Sequence, residues 1–426
     1  MLHPKMKYTY VGIDSHKDTH CAVFLNCFYE KLGEIEISGI PGEFENFLKD
    51  AQKYRLEKTS FAFGFEDVSA YGRSLVKFLK GKKQLVKHVD ATLVASERKS
   101  RNLLHKTDSI DAECAARVLL SRFDELPDAN PQDKYWVLSN LVARRDSMVK
   151  INVMLKNHLH SLIPDNYPGY HKFFTQIDCN SSLAFYEKYP SPSMLMGVSI
   201  DELAGMFSET SHYRVGEKKA VEIFKLVKRD GVRTPEYQEA RNFTIQSTVR
   251  QIKANKQEIG LIDTEIADFL DNFDYQLTSM RGIDSVMAAK LIAEIGDIER
   301  FPTSAKLARY AGVAPVTYAS GQTDVQYSNQ RGNRNLNEIF FRLALTTTMT
   351  SGSGTRVNNP FLYEYYRRKM AEGKTKRQAL KCVERRLVNI IWGMMKHKTE
   401  YINPPVIDVP EDYVRPEDEK GPRNRR

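Results

Sequence analysis

Hydrophobic and polar residues follow three regimes along the chain. From Tyr8 to Phe123 short apolar runs alternate with amphipathic ones. Tyr8–Asp14 and His20–Asn26 read as strands, and Glu34–Ser38 as a third. Pro41 opens a helical pattern with Phe44, Phe47 and Leu48 on one face. Ser60–Glu66 (SFAFGFE) is another apolar strand. Ala70–Lys80 reads as a helix with Leu75, Phe78 and Leu79 inward, and Gln84–His88 as a short strand. Asp108–Phe123 reads as a helix burying Ile110, Ala115, Val118 and Leu119. Three strands followed by strands with crossover helices predict a mixed sheet covered by helices.

The second regime starts at Leu138. Apolar and seam positions run Leu138, Leu141, Arg145, Met148, Asn152, Leu155, Leu159, Leu162, in alternating steps of three and four. A second run is Ile245, Val249, Ile252, Lys256, Ile259, Asp263, Ile266, Leu270, Phe273. Two long helices follow, either as an antiparallel hairpin or as an oligomerising coil. Arg145 and Asn152 are polar seam members of the kind that fix register or partner number. Between the two runs lies a helical insert, Pro164–Pro235, with Pro- and Ser-rich breaks and no assignable chemistry. In the third regime MRGIDSVMAAKLIAEIGDIERFP reads as helix, tight turn, helix. A short helix, a loop and a helix from near Asn333 come next. The segment EDYVRPEDEKGPRNRR mixes five acids with five bases and reads as disordered. The expected domains are 1–130, 131–276 with the insert 164–235, 277–400, and a tail 401–426.

Charge adds a direction. Lys and Arg number 63 against 54 acids among 426 residues, a formal +9, which points toward polyanionic partners. Between Phe361 and Lys398 eleven bases face three Glu; such a run is a nucleic-acid patch or a solvated helix face. The five cysteines include no C-x-x-C pair, so neither a disulfide framework nor a zinc ribbon is expected. Apolar runs stay short of the roughly 18 residues of a membrane span. The start MLHPKMKYTY lacks the apolar stretch of a signal peptide, and a reducing, intracellular setting is the expectation.

Candidate chemistry lies in four acids. Asp14 ends the first strand and Glu66 the fourth, while Asp108 and Asp111 stand three apart at a helix start. Singly, Asp14 suits a turn, and Asp108 or Asp111 suits a helix amino end. Strand ends of an α/β sheet gather at one edge. Four carboxylates gathered there repel unless a cation neutralises them, and oxygen ligands suit Mg²⁺ or Mn²⁺.

This placement resembles the RNase H-like fold with the carboxylates of RuvC-type resolvases. The motifs GIDSHKDTH, FEDVSAYG, KTDSIDAECAARVL, MRGIDSVMAAKLIAEIGD, YAGVAPVTYASG and NQRGNRNL occur in this order. Together they resemble the insertion-sequence one-ten family of transposases. The implied fold is an α/β RNase H-like (RuvC-like) amino-terminal domain, a long helical coiled-coil segment and a mainly α carboxy-terminal transposase domain.

The resemblance implies a DNA recombinase in which Ser320, in TYASGQ, attacks a phosphodiester and forms a phosphoserine link. Asp14, Glu66, Asp108 and Asp111 would be catalytic and would hold Mg²⁺ (or Mn²⁺). It implies donor and target DNA, a structured guide RNA, and a homo-oligomer, dimer or tetramer, whose protomers bring the serine to the acids. It also implies a cytoplasmic, nucleoid-associated prokaryotic protein with no membrane partner. Arg98, Lys99, Arg101 and Lys106 precede the acidic pair and suit backbone contacts. Arg331 and Arg334 could clamp a phosphate or simply face solvent. Tyr318 and Tyr327 could stack on bases or pack.

Two positions depart from the family pattern. Asp284 replaces the second glycine of the G-I-G turn, where an acid repels phosphate, and Asp324 follows Ser320 where bases are usual. The rival reading is a metal-dependent RuvC-like nuclease or resolvase that hydrolyses DNA with the carboxylates alone. A third is a binding protein without activity.

Overall fold

The structure is a computed structural model describing residues 3–68, 70–212, 216–231, 236–320, 323–327, 329, 332–350 and 357–402, with the side chains of 317–320 and 323–327 outside the description. It divides into two compact units, Met1–Val137 and Leu138–Arg426.

The first unit is built on five strands, β1 (Tyr8–Ser15), β2 (Thr19–Leu25), β3 (Lys31–Ser38), β4 (Ser60–Phe65) and β5 (Leu85–His88). Their order is β3-β2-β1-β4-β5. The first three pair antiparallel, and β4 and β5 add parallel to β1. This is the mixed sheet expected of an RNase H-like fold.

Side chains alternate across the sheet with period two, so each strand serves two cores. Val11, Ile13, Phe61, Phe63 and Phe65 face a core completed by α1 (Phe44–Ala51) and α2 (Arg73–Gly81), through Phe44, Phe47, Leu75, Val76 and Leu79. Tyr10, Val23 and Ala62 face the other core, completed by α3 (Ala91–Ser100) and α4 (Asp108–Ser121), through Val94, Ala112, Ala115 and Leu119.

Two local readings are corrected here. Helix α2 starts at Arg73 rather than Ala70, because the Asp67 carboxylate accepts from the Ala70 and Tyr71 amides and holds that stretch as a turn. The sequence reading also missed α3. Only Val94 of that helix is buried, so its apolar periodicity is faint; its signal is the cap, Asp90 accepting from the Thr92 amide.

The second unit begins within α5 (Asp133–Leu162), which lies antiparallel to α9 (Gln238–Phe269). The pairing is read from Arg145 bonding Asp263, from Asn255 Nδ2 donating to the Met148 carbonyl at 2.9 Å, and from Leu155 and Leu159 packing with Ile245, Val249 and Ile252. Arg145 thus meets its counter-charge within the same chain and fixes the register of the pair. The insert folds as α6 (Asn180–Lys188), α7 (Ile200–Ser211) and α8 (Glu217–Asp230) around Tyr167, Phe173, Phe185, Tyr186 and Phe207.

Next come α10 (Ser285–Ile295), α11 (Ser304–Tyr310), a hairpin of β6 (Val316–Ser320) and β7 (Thr323–Tyr327), α12 (Arg334–Thr348), α13 (Pro360–Ala371) and α14 (Lys376–His397). Two expectations change. The segment before α10 is a turn with Gly282 at φ 99°, not a helix, and Asp284 caps α10 by accepting from the Met287 amide at 2.7 Å. The expected loop around Ser320 contains antiparallel strands. The expected disordered tail lies outside the described residues beyond 402.

In the basic run Arg386 covers the rings of Phe361 and Tyr365 at 4.7 and 5.0 Å, so part of its charge is spent on packing α13 against α14. Among the described residues, no helix is long and apolar enough to cross a membrane.

Candidate metal centre

Strand parity decides which acids can meet. Asp14 shares the face of Gly12 and Tyr10, toward α4. On the neighbouring parallel strand Gly64 pairs with Gly12 in register, and Glu66 lies two residues on, with the same parity. The glycines matter because α4 lies directly over them. A Cβ on Gly12 would sit 2.0 Å from the Ala112 carbonyl oxygen and 2.3 Å from the Ala116 nitrogen. One on Gly64 would meet Val89 at 2.9 Å. This close seat brings the first turn of α4, with Asp108 and Asp111, over the carboxyl ends of β1 and β4. Thr107 starts that turn by accepting from the Ile110 amide.

The four predicted acids lie close enough to act on one another's charge, but among the described residues only Asp14 and Asp108 stand at ligand spacing, with His16 between them, while Asp111 is bonded to Arg98 and Glu66 joins through its charge alone. Burial pushes the Asp14 carboxyl above its usual range; His16 pulls it down, and Asp111 and Asp108 push it up again. Glu66 is likewise raised, by burial first and then by Asp14 and Asp111, against the pull of Lys106 and Arg98. Mutual repulsion of this kind marks a cluster short of positive charge. Carboxylate oxygens suit a hard divalent cation, and Asp14 and Asp108 are the two of the four that stand at ligand spacing.

One member was missed. His16 Nε2 stands 3.2 Å from Asp14 Oδ2 and 3.1 Å from Asp108 Oδ1. Asp14, His16 and Asp108 form the one group of three potential ligands found among the described residues. In GIDSHKD the histidine lies two residues past the strand-end acid, in the tight turn to β2, where no periodicity marks it. The His16 amide donates to the Thr19 carbonyl at 3.0 Å and locks that turn.

The basic residues before the acidic pair do different things. Arg98 is bonded to the buried Asp111, and Arg101 pairs with Glu113 at 3.0 Å. Lys106 is exposed, 3.9 Å from Asp111, and Lys99 is exposed on α3. Arg98 and Arg101 thus serve internal ion pairs, leaving Lys99 and Lys106 the more available for phosphate.

In the second unit Ser320 ends β6, in register with Thr323 of β7; its side chain is outside the described residues, as is all of Arg331. Arg334 is the exposed first residue of α12, which Asn333 caps by accepting from the Leu336 amide at 2.9 Å.

Comparison with known proteins accounts for both units. A DEDD transposase model of the IS110 type matches residues 11–168, which hold all four acids. A second model, "Transposase IS116/IS110/IS902 family", matches residues 274–361, which hold Ser320 and Arg334. The uncharacterised 44.8 kDa protein of insertion element IS116 from Streptomyces clavuligerus is 25% identical over 402 residues, 93% of this chain and 97% of that relative. The 43.6 kDa protein of IS110 from Streptomyces coelicolor is 26% identical over 70% of this chain and 72% of its own length. The IS900 protein of Mycobacterium paratuberculosis is 29% identical over 36% and 37%. The DEDD match also points to use of a divalent metal, in keeping with the acid cluster. With a DEDD domain and a carboxy-terminal transposase domain in the same order, and a relative aligned over nearly its whole length, this chain belongs to the IS110/IS116 family of insertion-element transposases.

Proposed function

We propose that this transposase cuts and rejoins DNA through Ser320, with Asp14, Glu66, Asp108 and Asp111 as its divalent-metal centre. The observation that carries the reading is the gathering of four carboxylates at one sheet edge, two of them raised by burial and mutual repulsion. Mg²⁺ or Mn²⁺ bound there would neutralise charge developing on a transferring phosphate. The Ser320 hydroxyl oxygen forms a bond to phosphorus and one P–O bond to a sugar breaks. The hydroxyl proton is passed on and the released sugar oxygen gains one. The ester count is unchanged, so rejoining needs no outside energy. A serine needs activation, and the nearest histidines in sequence, His212 and His397, are remote. The acid centre of an assembled dimer or tetramer supplies it.

Sequence choice is assigned to a structured guide RNA pairing with donor and target DNA, in a cytoplasmic, nucleoid-associated setting. The net charge of +9 supports polyanionic partners. Lys99, Lys106 and Arg334 are the exposed basic residues assigned to backbone contacts, and Arg331, outside the described residues, is assigned the same role.

The test is a denaturing gel of the full chain with end-bearing element DNA, its flanking RNA and Mg²⁺. A covalent protein–DNA adduct is expected with the parent, and none with Ser320→Ala or Asp14→Asn. Strand cleavage that persists in Ser320→Ala, without any adduct in the parent, would favour hydrolysis by the carboxylates alone.

A further inference from the structure

We propose that His16 is a direct nitrogen ligand of the divalent ion, and that it turns the centre toward Mn²⁺. This rests on the acid-cluster reading above and extends it to a residue outside the four-carboxylate set.

Three observations carry it. First, His16 Nε2 lies 3.2 Å from Asp14 Oδ2 and 3.1 Å from Asp108 Oδ1, and these oxygens come from different elements, the end of β1 and the start of α4. Adjacent donors on an octahedral ion with bonds of about 2.1 Å stand roughly 3 Å apart. Both nitrogen–oxygen separations match adjacent positions of such a shell. Second, the imidazole is held there by its backbone. Residues 16–18 form the turn between two strands paired in register from Ser15↔His20 onward, and the His16 amide is tied to the Thr19 carbonyl. Third, the nearby cations Arg98 and Lys106 point to Asp111 rather than to Asp14 or Asp108. Asp14 and Asp108 therefore meet at the imidazole.

A carboxylate-only centre suits Mg²⁺ as well as Mn²⁺. Replacing one oxygen donor by imidazole favours the softer transition ion, in line with the ordering of divalent affinities. Such a chain would bind Mn²⁺ more tightly than Mg²⁺ because of one side chain in a hairpin turn.

Pulsed electron paramagnetic resonance on the full chain loaded with Mn²⁺ reads this directly. The spin echo of the parent should carry the modulation of a bound ¹⁴N, replaced by a ¹⁵N pattern when the chain is labelled with ¹⁵N-histidine. His16→Gln should keep the ion but lose that modulation. Calorimetric titration should find its Mn²⁺ affinity about 10–100-fold weaker, with Mg²⁺ affinity changed less. Half-exposed in a turn, His16 carries little of the fold, and the parent's own echo signal needs no variant. A bound ion without nitrogen modulation, or the same modulation in His16→Gln, overturns the ligand role and leaves the acid cluster standing. Failure of the parent to bind Mn²⁺, or binding indifferent to Asp14→Asn, overturns both.

Discussion

Gly12 and Ala112 touch backbone to backbone: the space for a Gly12 Cβ is filled by the Ala112 carbonyl oxygen, 2.0 Å away. The obstacle is a helix backbone, which cannot rotate aside as a side chain does. Gly12→Ala must therefore lift α4 from β1. We expect a loss of roughly 1–3 kcal/mol or more in urea denaturation. The same displacement carries Asp108 and Asp111 away from Asp14, so stabilisation by divalent ions should fall with it. Gly42→Ala, with nothing within 4 Å of its added carbon, is the control and should stay within about 0.5 kcal/mol. Equal behaviour of the two variants would refute the close-seating argument.

The acid centre should weaken the metal-free fold. Burial, with Asp111 and Asp108 nearby, raises the Asp14 carboxyl despite His16. A carboxyl raised in the fold contributes its stability below its unfolded value, near 3.9, and loses it as pH climbs through the folded value. At neutral pH the charge is therefore a cost. In a chelator, Asp14→Asn should melt about 2–4 °C above the parent. Added Mg²⁺ or Mn²⁺ should raise the parent and leave the variant unmoved. Calorimetry in which both respond alike to the ions would rule out Asp14 as a ligand.

These two cases also mark what the sequence discloses. The strands, the mixed sheet and the places of the four acids along it were legible, because strand parity and strand ends are written in alternation and in where apolar runs stop. His16 was not, since a histidine in a turn has no period to stand out from. It gains meaning only when α4 brings Asp108 to its other side. Helix α3 escaped for a related reason, with Val94 its lone buried residue and a cap as its only cue. The α5–α9 runs gave the helices but not the partner; the bond from Arg145 to Asp263, 118 positions apart, resolves that as an intrachain pair. Ser320 had no physical signal and came from the resemblance alone.

The insert offers a pH test remote from any chemistry. Tyr167 and Tyr186 are buried, and burial holds both phenols well above their ordinary value of 10.0. The unfolded chain ionises them near pH 10 while the fold keeps them neutral. Their contribution is complete below that pH and is lost as pH rises further. Melting of the second unit should fall from about pH 10 upward. Phenolate absorbance of these two residues should appear together with unfolding rather than before it. Tyr186→Phe should flatten the alkaline decline; an unchanged slope would place the titrating groups elsewhere.

Asp284 can be separated into two roles. As cap of α10 it accepts from the Met287 amide at 2.7 Å. As a negative charge it also offsets the positive end of that helix, which would otherwise favour a phosphate. Asp284→Ala loses both and should cost about 1 kcal/mol, whereas Asp284→Gly should cost only a few tenths. Asp284→Asn keeps the cap and drops the charge, so it should cost only about 0.3–1 kcal/mol, the dipole contribution. If the turn at Gly282 lies along bound DNA, Asp284→Asn should bind a duplex several-fold more tightly, with the gain shrinking as salt is raised. Identical affinity and identical salt dependence in Asp284→Asn and the parent would mean that this acid is purely a helix cap.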